Sequence, residues 1–154
     1  MGLDMYLNAR KYMSSFDVKE APIKSELSRI LEDLSKGFDI NYLVFEAVYW
    51  RKANAIHKWF VDNVQDGKDD CEEYPVSEDQ LRALLETVSK VLDNRGLACE
   101  LLPPQSGFFF GSTELDEYYW RDLQDTKGKL TNLLSKFEPG DIGWDWNFSY
   151  RSSW

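Results

Sequence analysis

Histidine occurs once in the chain, at position 57, and cysteine twice, at positions 71 and 99. One imidazole and two distant thiols, with no HxxxH, HxH or Cys-x-x-Cys spacing, make no recognisable metal site, so neither a metal nor a cofactor is expected. The thiols are expected to be reduced, as in a cytoplasmic protein. Long apolar runs are missing too: none approaches the roughly 20 residues of a membrane-spanning helix, and no membrane partner is expected. The opening MGLDMYL has no basic leader and no small-residue cleavage site, and Gly2 is not followed by the Ser or Thr of a myristoylation signal. Basic residues are the minority, 18 against 27 acidic, for a net charge of −9. Binding to a phosphate backbone rests on Lys and Arg, so direct nucleic-acid binding is not expected. An acidic surface that imitates nucleic acid stays open beside plain solubilising charge. GFFFGST lacks the GxSxG spacing of a nucleophile elbow, and neither a Walker-type loop nor GxGxxG is present.

What is present is enough for a core. At 154 residues, 43% hydrophobic and 15% aromatic, the chain fits one globular domain spanning 1–154. Leu3, Met5, Leu7 and Ala9 alternate with Asp4, Tyr6 and Asn8, the period of a half-buried strand. Arg10 to Glu20 has no clean period and reads as a loop. Pro22 suits a first helical turn, Ile23, Leu27, Ile30, Leu31 and Leu34 follow at helical spacing, and Gly37 suits a cap, which predicts a helix over 23–36. Ile40 to Val48 is rich in β-branched and aromatic residues; a strand is expected, with a helical alternative. Asp66 to Glu73 reads as a solvated acidic loop. Ser77 and Gln80 form a capping box ahead of Leu81, Leu84, Leu85, Val88, Val91 and Leu92. The runs 97–102 and 108–110, separated by PPQSG, predict a β-hairpin. Thr113, with Asp116 three residues on, predicts the cap of a long helix through Leu115, Tyr119, Leu123, Thr126, Leu130, Leu133, Leu134 and Phe137. Gly128 inside it hints at a close contact or a bend. After a break at 139–143, Trp144, Trp146, Phe148, Tyr150 and Trp154 alternate with polar residues, a strand with an aromatic face. The fold class expected is α+β, an antiparallel or mixed sheet of about four or five strands with helices mainly on one face.

Tyr49 to Val64 reads as the central amphipathic helix. Tyr49, Ala53, Ile56, Phe60 and Val64 make its core stripe; Trp50, Asn54, His57 and Val61 make the stripe beside it, with Arg51, Lys52 and Lys58 on the rest. A strand-to-helix junction at Gly111, Ser112 and Thr113 would present free amides and two hydroxyls, a place for an anion. The candidate ligand-binding residues are therefore Trp50, Arg51, Asn54, His57, Gly111, Ser112, Thr113 and Trp146, with no catalytic residue assigned. Asp4 is placed to pair with Arg51 or Arg151. Aromatics with Arg, Asn and His suit a stacked anionic small molecule, a host signalling nucleotide among the candidates. Trp and Arg equally anchor protein interfaces, so inhibition of a host protein is the other form of this expectation. The alternatives are a small enzyme using His57 as acid or base on a phosphate-containing substrate, for which no partner of His57 is visible in the sequence, and the acidic mimic.

The segments MGLDMYL, YWRKANAIHKWF, LLPPQSGFFFGST with DEYYWRDL after it, and SYRSSW together resemble a group of small, uncharacterised proteins carried by bacteriophages and bacteria. The likeness runs over nearly the whole chain, with a variable part in about residues 10–40. It implies a phage or bacterial cytoplasmic setting and no catalytic residues.

Overall fold

The alternation at the start of the chain becomes strand β1 (Asp4–Tyr12), which places Met5, Leu7 and Ala9 inward. The computed structural model describes residues 2–107, 109–137 and 146–154. β1 runs three residues beyond the predicted strand. A second strand, β2 (Tyr42–Arg51), pairs antiparallel with β1, and β4 (Asn147–Ser153) pairs antiparallel with its other edge. A short β3 (Tyr74–Val76) completes the sheet in the order β2-β1-β4-β3. Cross-strand register sets the buried face: Trp50, Met5 and Ser152 lie in one row, and Val48, Leu7 and Tyr150 in the next. The opposite face carries Asp4, Tyr6, Asn8, Tyr49 and Arg151, none of them buried.

Helices cover the apolar face. α3 (Asn54–Asn63) lays Phe60 flat on Tyr150, with ring centroids 3.9 Å apart and planes 5° apart. α4 (Glu78–Asp93) begins at the predicted capping box, with Ser77 Oγ accepting from the Gln80 amide and the Gln80 side chain accepting from the Ser77 amide. Its Leu81, Leu84, Val88 and Val91 are buried, as are Tyr119, Leu123, Thr126, Leu130, Leu133 and Leu134 of α6 (Glu117–Leu134). Each large side chain so enclosed contributes roughly 1.5–3 kcal/mol. The result is a single-domain α+β fold with one four-stranded antiparallel sheet. No helix among the described residues is long and apolar enough to cross a membrane.

Several local expectations are corrected. Tyr49, Trp50 and Arg51 belong to β2 and not to a helix beginning at Tyr49. The segment satisfies both periods, and the sheet wins because Val48 and Trp50 complete the buried rows. Lys52 then turns the chain at φ 59°, with its amide donating to Leu3 O at 2.8 Å, and α3 starts at Asn54. The predicted helix 23–36 is two helices, α1 (Glu20–Ile30) and α2 (Glu32–Ser35), interrupted at Leu31, and α2 ends through Lys36 and Gly37 at φ 48° and 87°. The predicted hairpin is absent: Arg95–Leu97 form a 3-10 turn and Ala98–Leu101 a short helix, α5. Asn94 starts that turn by accepting from the Gly96 amide, and Pro103 and Pro104 follow its end. Phe108 lies outside the described residues, as do the break at 139–143 and Trp144. Asp116, not Thr113, caps α6, accepting from the amides of Tyr118 and Tyr119 at 3.0 Å each. A Cβ at Gly128 would meet nothing within 4 Å, so no close contact explains that glycine.

Candidate functional site: a cleft between the β2–α3 junction and α6

The turn at Lys52 and the first turn of α3 face the N-terminal half of α6 across a cavity of about 580 Å3. Arg51, Lys52, Asn54 and Ile56 line one wall, Asp116, Tyr118, Tyr119, Arg121, Asp122 and Leu123 the other, and Gly111 and Ser112 close an end. A second cavity of about 310 Å3, lined by Tyr49, Trp50, Asp125 and Lys129, shares Arg51, Ala53, Arg121 and Asp122 with the first. The two therefore form one cleft with a common waist.

The end wall is positioned by Asn54. Its amide donates to Phe110 O at 3.1 Å and Ser112 O at 2.8 Å, and its Oδ1 accepts from the Gln105 amide at 3.2 Å. A single buried side chain thus satisfies three backbone groups of the 105–112 loop, groups that would be costly to leave unpaired. Two glycines let the loop fold this tightly. A Cβ at Gly107 would lie 2.5 Å from the Phe110 ring, and Gly111 sits at φ 94° with its α-carbon side facing Lys52.

Behind the cleft lies a buried polar chain. His57 is fully enclosed, with Nδ1 2.8 Å from the Tyr150 hydroxyl and Nε2 3.1 Å from Asp69 Oδ2. An ionised carboxylate can only accept, so Nε2–H donates to Asp69 and Nδ1 accepts from Tyr150. Burial lowers the imidazole pKa, opposed by the Asp69 carboxylate, and the ring is neutral at pH 7. Asp69 also accepts from Gln105 Nε2 at 3.2 Å and from the Trp154 indole at 3.0 Å. Part of the acidic loop expected to be solvated is thereby drawn into the body. Asp69 is also the His57 partner that sequence reasoning missed.

The residues expected to form one site are distributed as follows. Arg51, Asn54, Gly111 and Ser112 line the larger cavity. Trp50 lines the smaller one and donates from its indole to Thr126 Oγ1 at 2.9 Å. His57 is buried with both ring nitrogens engaged, its ring edge-on to Phe110 at 5.1 Å. Thr113 is exposed and lines neither cavity. Trp146 packs against Phe45 and Phe137, at 5.7 and 6.2 Å between ring centroids, away from the cleft. Since α6 begins at Glu117, Gly111 to Thr113 present no helix N-terminus. Arg51 does pair with Asp4, at 3.6 Å, and Asp4 also accepts from the Tyr49 hydroxyl.

Sequence reasoning missed the α6 wall. Tyr118, Arg121, Asp122, Asp125 and Lys129 follow one helical stripe beside the core stripe, and that juxtaposition was the available signal. Burial pushes the Asp122 carboxyl up to about 6, against the pull of Arg121. The guanidinium of Arg121 lies 4.8 Å over the Tyr118 ring. Chemically the cleft offers four cations (Arg51, Lys52, Arg121 and Lys129), a stackable phenol in Tyr118 and one carboxyl held in a poor solvent.

No family model, no curated protein and no solved structure matches the chain.

Proposed function

We propose that this chain is a non-enzymatic binding protein that holds an anionic small molecule, a nucleotide by class, in the cleft between the β2–α3 junction and α6. The observation that carries the reading is the convergence of Arg51, Lys52 and Arg121 on a cavity of about 580 Å3 walled by Tyr118 and Tyr119. That volume suits a nucleotide-sized ligand. Cations on an otherwise acidic chain, net −9, concentrate attraction for an anion at one place. The setting is a phage or bacterial cytoplasm, where the protein would sequester its ligand. Acid–base work by His57 has less support, because the ring has no exposed surface and both nitrogens are already bonded.

Isothermal titration of the purified protein with a panel of nucleoside mono-, di- and triphosphates tests this. Saturable one-to-one binding is expected, weakened about tenfold or more in Arg51→Ala and in Arg121→Ala, with thermal midpoints shifted by no more than a few degrees. Absence of binding to every member of the panel would overturn it.

Inhibition of a host protein is the second reading, and it rests on a different region. Phe16, Leu34 and Phe38, in and around α1 and α2, are 96%, 80% and 79% exposed, and large apolar side chains left open together suit a protein partner.

A further inference from the structure

Two carboxylates line the two cavities besides that of Asp122, and among the described residues only Asp122 is left unengaged. Asp116 spends its Oδ1 on the α6 cap. Asp125 is paired with Lys129 at 2.6 Å. Asp4 lies behind Arg51 at 3.6 Å and lines neither cavity. The Asp122 carboxyl has no hydrogen bond or ion pair with any described residue, although it sits half-buried at the waist where the cavities meet. Its backbone carbonyl is used, accepting from Thr126 Oγ1 at 2.7 Å. A half-buried carboxylate without donors is costly to the free protein, and a ligand that supplies donors there recovers that cost on binding.

Resting on the nucleotide reading of this cleft, we propose that the site selects guanine nucleotides. Asp122 receives the adjacent N1–H and N2–H donors of the base, and Arg51 and Lys52 hold the phosphates. The argument is one of complementarity. An ionised carboxylate presents two acceptors and no donor. Adenine and cytosine each set one amino donor beside a ring-nitrogen acceptor, and uracil sets one N–H between two carbonyls. Guanine alone among the common bases offers two neighbouring donors on one edge, so it alone pairs both carboxylate oxygens without an acceptor–acceptor clash. Such a charge-assisted, two-bond contact is the stronger and more directional kind. Tyr118, beside the waist on the same helix, supplies a ring on which the base stacks.

The test is a calorimetric comparison of GDP, IDP, ADP and XDP on the intact chain and on Asp122→Asn at pH 7.5. The inference expects GDP to bind the unaltered chain at least tenfold more tightly than ADP, with IDP, which lacks the N2 donor, weakened as well. The Asn amide pairs one donor with one acceptor, matching xanthine's N1–H and C2 carbonyl. Asp122→Asn should therefore lose the preference for GDP and gain about tenfold for XDP. If the four diphosphates bind the unaltered chain equally, the guanine assignment fails while the nucleotide reading stands. If none of them binds, both fail. The comparison on the unaltered chain decides the matter even where the variant folds poorly.

Discussion

Two parts of the molecule carry the same kind of amphipathic pattern and treat it in opposite ways. In the body, α4 and α6 turn their apolar stripes inward, and Leu81, Leu84, Leu123 and Leu130 have no exposed surface at all. In the arm formed by residues 13–46, α1 buries no residue, although Ile23, Leu27 and Ile30 repeat at helical spacing. Ile23 and Ile30 are more than half exposed, and the distal half of β2 leaves Tyr42, Val44 and Phe45 open as well. Apart from the pairing of Tyr42 to Glu46 with β1, the arm is tied at its base by polar contacts: Lys11 to Glu20 at 3.0 Å, the Ser14 amide to Glu20 at 2.9 Å and the Met13 amide to Asn41 O at 3.0 Å. An apolar stripe thus states that a helix has a face to cover. It does not state that the cover belongs to the same chain.

The comparison can be broken most forcefully from the body. Deleting residues 146–154 removes β4, which pairs with β1 on one edge and β3 on the other and brings Phe148 and Tyr150 into the core. Two such rings at roughly 1.5–3 kcal/mol each, with the ladders on both sides, consume much of the about 5–15 kcal/mol that keeps a domain folded. The truncated chain should show no cooperative transition by circular dichroism, and a sharp melt would mean that β4 is dispensable.

Paired single substitutions sharpen the contrast. Leu84→Ala, in the body, should cost about 2–5 kcal/mol in urea unfolding. Leu34→Ser, in the arm, should stay within about 0.5 kcal/mol. Equal losses at the two positions would mean that the arm is covered in solution, and the contrast would disappear.

A smaller effect than that of the core substitution has the opposite sign. Asp122 belongs to the body, yet its folded-state pKa of about 6 stands above the ordinary 3.8. A raised carboxyl pKa means that the folded state binds the proton more tightly than the unfolded chain does. The penalty for ionised Asp122 is therefore full above about pH 6 and is relieved as the pH falls toward 4. The charges around it are Arg121, Asp125, Asp116 and Lys129, with Arg51 lining the same waist. Asp122→Asn should stabilise the free protein by about 1–2 kcal/mol at pH 7–8 and by nothing measurable near pH 4. His57 contributes a loss of stability as the pH falls below about 6.5, because burial depresses its pKa, and both proteins share that loss. The difference between their urea midpoints, taken at each pH, isolates Asp122.

Legibility from sequence followed the same division. β1, α4 and α6 were readable because one period dominated each and the packing agreed with it. The alternation of Phe148 and Tyr150 likewise announced β4. At Val48 to Phe60 two periods fit the same residues, and only the neighbouring strand β1 decides between them. The 97–102 run suits a strand as well as a helix in sequence, because a short apolar segment carries no period of its own. The cleft is half visible: the sequence singles out Arg51, Asn54, Gly111 and Ser112, while nothing local separates Arg121 and Asp122 from the other polar residues of α6. Asp69 was hidden for a related reason. Its neighbours Asp70, Glu72 and Glu73 lie in the same acidic loop, and nothing local distinguishes the one carboxylate that reaches His57.

The strand order has a consequence for how the molecule is made. β1 leaves a ribosome well before β4, which lies about 140 positions further along, yet Leu7 is paired directly with Tyr150. At a synthesis rate of about 5–20 residues per second, β1 waits on the order of ten seconds for its central neighbour. Through that interval Met5 and Leu7 can pair only with Trp50 and Val48 of β2, as a two-stranded ribbon, which is marginal in water. Native-like closure of the sheet is thus a late event, dominated by the longest-range pairing in the chain and slow for that reason. A nascent or stalled chain would display the apolar face of that ribbon to whatever chaperone or protease is nearby.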